Sequence, residues 1–83
     1  MKIIKRDGRI VDYDRQKISI AIEKANRDVN GKEKATKEEI KEIIEYIEGL
    51  SKKRILVEDI QDIIEEKLME IGKYKLAKEY IVY

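Results

Sequence analysis

The sequence contains no cysteine, histidine, proline, phenylalanine or tryptophan. Because it has no cysteine, the chain can form neither a disulfide nor a thiolate zinc site. The absence of histidine removes the commonest general base and the commonest metal ligand from any candidate active site. The four glycines are too scattered for a dinucleotide-binding fingerprint, and no GxxxxGKS or GxxxxGKT loop is present. The composition therefore argues against an enzyme acting on its own.

The sequence also lacks an excess of one charge and lacks long apolar runs. Nineteen basic and eighteen acidic residues give a formal net charge of +1. Duplex nucleic-acid binders more often carry a basic excess, so nucleic acid ranks last among the partners considered. No apolar run is long enough to cross a bilayer, and the N-terminus has no apolar signal-peptide core. We therefore expect one domain, residues 1–83, in the cytoplasm and without a membrane partner.

A β-hairpin is predicted at the start of the chain. Residues 2–6 and 9–13 flank an Asp-Gly pair, which is the strongest short hairpin signal because both residue types tolerate positive φ. The alternation of the first strand places Ile3 and Lys5 on one face. The short apolar segment 54–56 is β-favouring and is predicted to add a third strand.

Four helices are predicted to follow the hairpin, which makes the fold α+β. Asp14 is expected to cap the first helix, and Thr36 with Glu39 forms a capping box at the second. The third helix is expected from Val57 to Ile71, with Gly72 ending it, and the fourth over residues 74–83. The side chains predicted to face the core are Ile18, Ala21, Ile22 and Ala25; Ile40, Ile43, Ile44 and Ile47; Ile60, Ile63, Ile64, Leu68 and Ile71; and Leu76, Ala77, Tyr80 and Ile81.

The remaining feature is a basic cluster around the Asp-Gly turn. Gly8 lets backbone amides approach a ligand closely, and the N-terminus of the first helix offers unpaired N–H groups. Lys17, at the third helical position, can reach back to the same opening, so a polyphosphate there would meet several cationic groups together. The alternative is a solvated charged face that protects an edge strand from aggregation, and the residues leave both interpretations open. The cluster consists of Lys5, Arg6, Arg9, Arg15 and Lys17.

Two segments resemble the ATP-cone, the N-terminal regulatory domain of ribonucleotide reductases. The first, KIIKRDGRIVDYDRQKISIAIEKA, carries the family's Lys-Arg-x-Gly hairpin, an aromatic-Asp pair and a Lys-Ile helix start. The second, ILVEDIQDIIEEKLMEIGKYKLAKEYIVY, ends in the pattern Gly-x-Tyr-x-x-Ala-x-x-Tyr and looks most similar to cones of anaerobic and cobalamin-dependent reductases. The resemblance implies a four-helix bundle capped by a small three-stranded β-sheet, which agrees with the elements predicted above.

The resemblance also implies a ligand, partners and site residues. It implies that ATP or dATP, with Mg²⁺, binds between the sheet and the helices, and that the reductase catalytic domain is the partner, with homo-oligomers among the assemblies. The implied site residues divide into phosphate or turn positions, adenine-flanking positions and positions at the start of the third helix. They are Lys5, Arg6, Gly8 and Lys17; Val11, Asp14 and Ile18; and Val57 and Gln61.

Two departures from the family pattern keep other interpretations open. Leu56 and Val57 replace a Ser/Thr pair that many cones have there, and the chain stops at Tyr83, where relatives continue into basic residues. This suggests an excised or redesigned domain. One alternative is a folded ATP-cone-like scaffold or oligomerisation domain with weakened or lost nucleotide binding. Another is the cone of a zinc-ribbon repressor of reductase genes, but that family's cysteines are absent here. The tyrosines, including Tyr13 and Tyr80, are interpreted as core or rim aromatics.

Overall fold

The computed structural model describes residues 1–81 and consists of a three-stranded sheet that caps a bundle of four α-helices. This confirms the predicted α+β fold. A 3₁₀ turn, Gly31–Glu33, occupies the predicted loop between the first two helices. The regular elements are β1 (Lys2–Ile4), β2 (Ile10–Asp12), α1 (Arg15–Asn26), α2 (Lys37–Gly49), β3 (Arg54–Leu56), α3 (Val57–Glu70) and α4 (Tyr74–Ile81).

The sheet has the order β2-β1-β3, with β1 antiparallel to β2 and parallel to β3. Ile3 in the central strand lies opposite Val11 and Ile55, and both Ile3 and Ile55 are buried against the helices. In the adjacent row of paired residues, Ile10 and Leu56 lie on the outer face of the sheet, and each is about half exposed. The alternation of the strands therefore gives the sheet one core face and one solvent face.

The hairpin strands are shorter than predicted because the turn uses more residues. The N–H of Lys5 donates to the carbonyl of Arg9 at 2.8 Å, and the N–H of Gly8 donates to the carbonyl of Lys5 at 3.0 Å. Gly8 alone in this turn has a positive φ, +88°. A three-residue loop with glycine at the left-handed position therefore joins the strands, in place of a two-residue turn.

The predicted helix starts are confirmed. The Asp14 carboxylate accepts from the N–H of Gln16 at 3.0 Å. At α2 the Thr36 hydroxyl accepts from the N–H of Glu39 at 3.1 Å, while the Glu39 carboxylate accepts from the N–H of Thr36 at 2.9 Å. The start of α3 differs, because Leu56 at the capping position has no side-chain acceptor. Its first-turn N–H groups therefore have no side-chain cap.

The core lies where the inner faces of all four helices meet. The largest fully buried side chains are supplied by every helix, as the apolar periodicity predicts. Most of the side chains predicted to face inward are buried or partly buried, and they form one continuous cluster with Ile3 and Ile55 of the sheet. The fully buried large residues are Ile22, Ile47, Ile64, Leu68 and Leu76.

Two of the side chains predicted to face the core are exposed instead. Ile71 is 39% exposed because α3 ends at Glu70, so the helical periodicity no longer fixes the direction of its side chain. Ile81 is 55% exposed at the end of α4, beside an open hollow. Residues 82 and 83 of the predicted fourth helix lie outside the described residues. No helix within residues 1–81 is long and apolar enough to cross a membrane.

The turn between α3 and α4 offers a test of backbone conformation. Gly72 has φ +80° and follows the end of α3, where alanine in the same conformation costs about 1–2 kcal/mol. We therefore expect Gly72→Ala to lower the free energy of unfolding, measured by urea denaturation. Gly49→Ala is the matched control. It adds the same methyl group within α2, where no atom lies within 4 Å of the new Cβ, and should stabilise by about 0.5–1 kcal/mol. Equal effects of the two substitutions would contradict the argument from φ.

Candidate functional site

A cavity of about 250 Å³ lies between the inner face of the sheet, the start of α1, the start of α3 and the end of α4. We call it the apolar hollow, since hydrocarbon and aromatic side chains form most of its wall. Val11 borders it because strand register places Val11 opposite the buried Ile3. On α1, Ile18 and Ala21 are three residues apart and therefore share one helix face, and both border the hollow. The hydrocarbon and aromatic residues of its wall are Ile3, Val11, Tyr13, Ile18, Ala21, Val57, Ile60 and Tyr80.

A second cavity, of about 310 Å³, adjoins the apolar hollow beneath the hairpin turn. We call it the basic hollow because three cationic side chains border it. The two cavities share Lys5, Val57 and Gln61 in their walls and therefore adjoin, and we call the pair the cleft. The basic hollow is lined by Lys5, Arg6, Asp7, Arg9, Val57 and Gln61.

The structure brings most of the predicted site residues to this cleft. Seven of the nine line the apolar hollow, and Arg6 lines the basic hollow. Gly8 lines neither cavity and lies in the hairpin turn with φ +88°. Arg15, which the sequence groups with the basic cluster, borders neither cavity. The seven residues are Lys5, Val11, Asp14, Lys17, Ile18, Val57 and Gln61.

Sequence reasoning missed part of the wall of the apolar hollow. Ile3, Ala21 and Ile60 border it as well, although the sequence predicts the two helical ones only as core residues. A sequence signal exists for them, since Ala21 follows Ile18 at helical spacing and Ile60 is three residues after Val57. Nothing in the sequence distinguishes a core side chain that borders a cavity from one that packs fully. Asp12, which also lines the hollow, is an exposed strand residue with no such signal.

Both arginines of the basic hollow already have acidic or amide partners. Arg6 donates from Nη2 to Gln61 Oε1 at 2.9 Å, and its Nε lies 3.5 Å from Glu58 Oε1. Arg9 donates from Nε to Asp7 Oδ2 at 2.7 Å. The backbone N–H of Arg9 also donates to Asp7, and these two hydrogen bonds hold the pKa of the Asp7 carboxyl below its ordinary value. The arginines therefore tie the hairpin turn to itself and to α3.

The two lysines of the cleft differ from the arginines. Lys5 follows β1 at the edge of the turn, and Lys17 lies in the first turn of α1. Within residues 1–81 neither forms an ion pair with a carboxylate. Among the described residues, their ammonium groups therefore have no carboxylate partner to give up when an anion enters the cleft.

Tyr13, at the junction of β2 and α1, connects the apolar hollow to the end of α2. Its hydroxyl donates to Glu48 Oε2 at 2.9 Å, and Arg15 donates from Nε and Nη2 to the same carboxylate at 3.1 Å each. Burial, together with the hydrogen bond to Glu48, raises the pKa of Tyr13 above its ordinary value. Burial also raises the pKa of Tyr80 to about 12, so both hydroxyls stay protonated at neutral pH.

The described residues offer no preformed metal site. Within residues 1–81 no group of three or more carboxylates, histidines or cysteines is close enough to hold an ion. The lining of the cleft suits a ligand with two parts, because it offers an apolar wall for a flat ring and ammonium and guanidinium groups for an anion.

A comparison with protein-family models matches the whole chain, residues 1–83, to a family described as ATP cone domain. Curated relatives align along nearly the full chain. The alpha subunit of ribonucleoside-diphosphate reductase from Chlamydia trachomatis is 36% identical over 94 residues, which covers 100% of this chain and 9% of that protein. The corresponding subunit from Chlamydia pneumoniae is 42% identical over 90 residues, covering 98% and 9%.

A third relative comes from Thermoplasma acidophilum. The vitamin B12-dependent ribonucleoside-diphosphate reductase of Thermoplasma acidophilum is 36% identical over 88 residues, which covers 99% of this chain and 11% of that protein. The chain thus spans about a tenth of the length of the relatives that it matches. In each of them a far larger part of the protein lies outside the matched region.

Proposed function

The chain belongs to the ATP-cone family, the regulatory domain of ribonucleotide reductases, and we propose that its cleft binds ATP or dATP as an allosteric effector. The observation that supports this most is that an apolar hollow adjoins a basic hollow. An adenine nucleotide has the same division, with an apolar flat base at one end and a polyanion at the other. The whole chain has a net charge of only +1, so the cationic side chains at the cleft are a local grouping and do not reflect a generally basic chain.

The apolar hollow is the proposed adenine site. Ile18 and Ile60 offer hydrocarbon faces from two helices, and Tyr80 offers an aromatic ring. Val11 has no polar side-chain atom, so any hydrogen bond from this position to the base comes from its backbone. Asp14 and Gln61 are the polar side chains that orient the base and ribose in this proposal.

The basic hollow and its border are the proposed phosphate site. Lys5 and Lys17 supply ammonium groups, and Arg6 supplies a planar guanidinium that can bind phosphate oxygens through two hydrogen bonds. The first turn of α3 borders both hollows at Val57, and its N–H groups have no side-chain cap. Such N–H groups favour anions because the positive end of the helix dipole adds to them.

Magnesium is proposed to enter with the nucleotide. Mg²⁺ keeps several of its waters and binds readily through substrate phosphates, so it does not require a cluster of protein ligands. The residues of the cleft would then meet a partly neutralised phosphate chain.

The proposed partner is a reductase catalytic domain, with regulation through differences in assembly. An effector regulates only if the two assembly states bind it with different affinity, which defines a coupling free energy. ATP and dATP differ by one hydroxyl, so a different response to each must come from small shifts in the cleft. The catalytic activity of the relatives belongs to the parts of those proteins outside the match.

Isothermal titration of the domain with ATP and then dATP, in excess Mg²⁺, tests the proposal. We expect saturable heat from at least one of the two nucleotides. The absence of heat from a protein that is folded by circular dichroism would overturn nucleotide binding. That result would favour a folded scaffold with a lost site, an alternative to which Leu56 and Val57 also point, because neither side chain has a hydroxyl for a phosphate or ribose contact.

A further inference from the structure

Arg6 spans the basic hollow from the hairpin turn to α3. Its guanidinium contacts two side chains of that helix, Gln61 at 2.9 Å and Glu58 at 3.5 Å. Glu58 and Gln61 are three residues apart and therefore share one face of α3. Arg6, one of two guanidinium donors that line the basic hollow, is thus already paired with the Glu58 carboxylate, which lies beside the hollow without lining it.

This pair is weak enough for a ligand to displace. The side chains of Arg6 and Glu58 are 68% and 66% exposed, and exposed ion pairs change an equilibrium constant by only about 1.5- to 5-fold. Phosphate offers the guanidinium a charge-assisted, two-pronged partner that is stronger than one partly separated carboxylate. When phosphate takes Arg6, however, the Glu58 carboxylate remains close by and repels it.

We propose that Glu58 is a specificity-determining residue that competes with the phosphate chain for Arg6 and thereby favours the magnesium complex of the nucleotide over the free anion. This rests on the proposed function of the cleft. Free ATP carries more negative charge than its magnesium complex, so repulsion by Glu58 penalises the free anion more. The dependence of binding on Mg²⁺ then arises in part from a carboxylate that need not touch the metal.

Titration of Glu58→Gln with ATP, once in excess Mg²⁺ and once with a chelator, tests the inference. We expect binding about 1.5- to 5-fold tighter than wild type in Mg²⁺, from the loss of the competing ion pair. The gain should be larger without Mg²⁺, because the removed repulsion acts on a more highly charged ligand. Inorganic triphosphate, which has no base, should show the same two gains.

Glu66→Gln is the matched control, since it removes the same charge from the exposed surface of α3 at a residue that does not contact Arg6. In an Arg6→Met background the gain from Glu58→Gln in Mg²⁺ should become smaller, because only the repulsion between Glu58 and the phosphates is then removed. If Glu58→Gln leaves the affinity for ATP unchanged, or changes it only as much as Glu66→Gln does, this inference alone is overturned. Weaker binding by Glu58→Gln would also overturn it. No binding by either protein would overturn the proposed function and this inference with it.

Discussion

Replacement of Lys17 by alanine is expected to weaken ATP binding by about ten- to a hundred-fold, the range for loss of one hydrogen bond to a charged group. Lys17 borders the apolar hollow from the first turn of α1 and has no carboxylate partner within the described part of the chain. In the proposed complex its ammonium group would therefore bind phosphate without giving up a carboxylate partner among residues 1–81. Isothermal titration in excess Mg²⁺ measures the loss directly.

Lys24→Ala is the control for this prediction. Lys24 is an exposed lysine two turns further along α1, and it lines neither hollow. Its loss lowers the net charge equally, so it should change the affinity by less than about two-fold, as a distant screened charge does. An equal loss in both variants would indicate attraction by overall charge rather than a phosphate contact. Unchanged binding by Lys17→Ala would remove Lys17 from the site.

Leu68→Ala is expected to lower the free energy of unfolding by about 3–4 kcal/mol, within the range for leucine truncation in protein cores. Leu68 is fully buried on α3, in the cluster that includes Ile64 of the same helix and Leu76 of α4. Truncation loses the transfer free energy of the side chain and leaves a cavity. A domain of this size has about 4–12 kcal/mol of stability in total, so the variant should unfold at much lower urea concentration.

Met69→Ala is the matched control on the same helix. Met69 follows Leu68 directly but is 37% exposed, so its truncation should cost less than about 1 kcal/mol, as surface substitutions usually do. Urea denaturation of both variants, followed by circular dichroism, measures the difference. Similar costs for the two substitutions would contradict the placement of Leu68 at the centre of the core. A change in the denaturant slope would show that the unfolded or native state had changed in compactness.

The sequence by itself determined the local structure. Apolar spacing predicted the buried faces of the helices, and side-chain chemistry predicted the Asp14 cap and the Thr36–Glu39 capping box. These predictions succeeded because each depends on residues within one or two turns of each other. The predicted burial of Ile71 and Ile81 was wrong, because both lie where a helix ends. Helical periodicity does not fix the direction of a side chain once the neighbouring turn is missing.

The tertiary structure alone decided which of these residues meet. Arg6 and Arg15 look alike in the sequence, yet Arg6 reaches Glu58 and Gln61 across the basic hollow while Arg15 binds Glu48 on α2. The parallel pairing of β1 with β3, which brings the start of α3 to the hairpin, is equally absent from local patterns. Contacts between residues far apart in the chain depend on how whole elements pack. Periodicity fixes the face that a helix buries, but not the partner that the face meets or the space left between them.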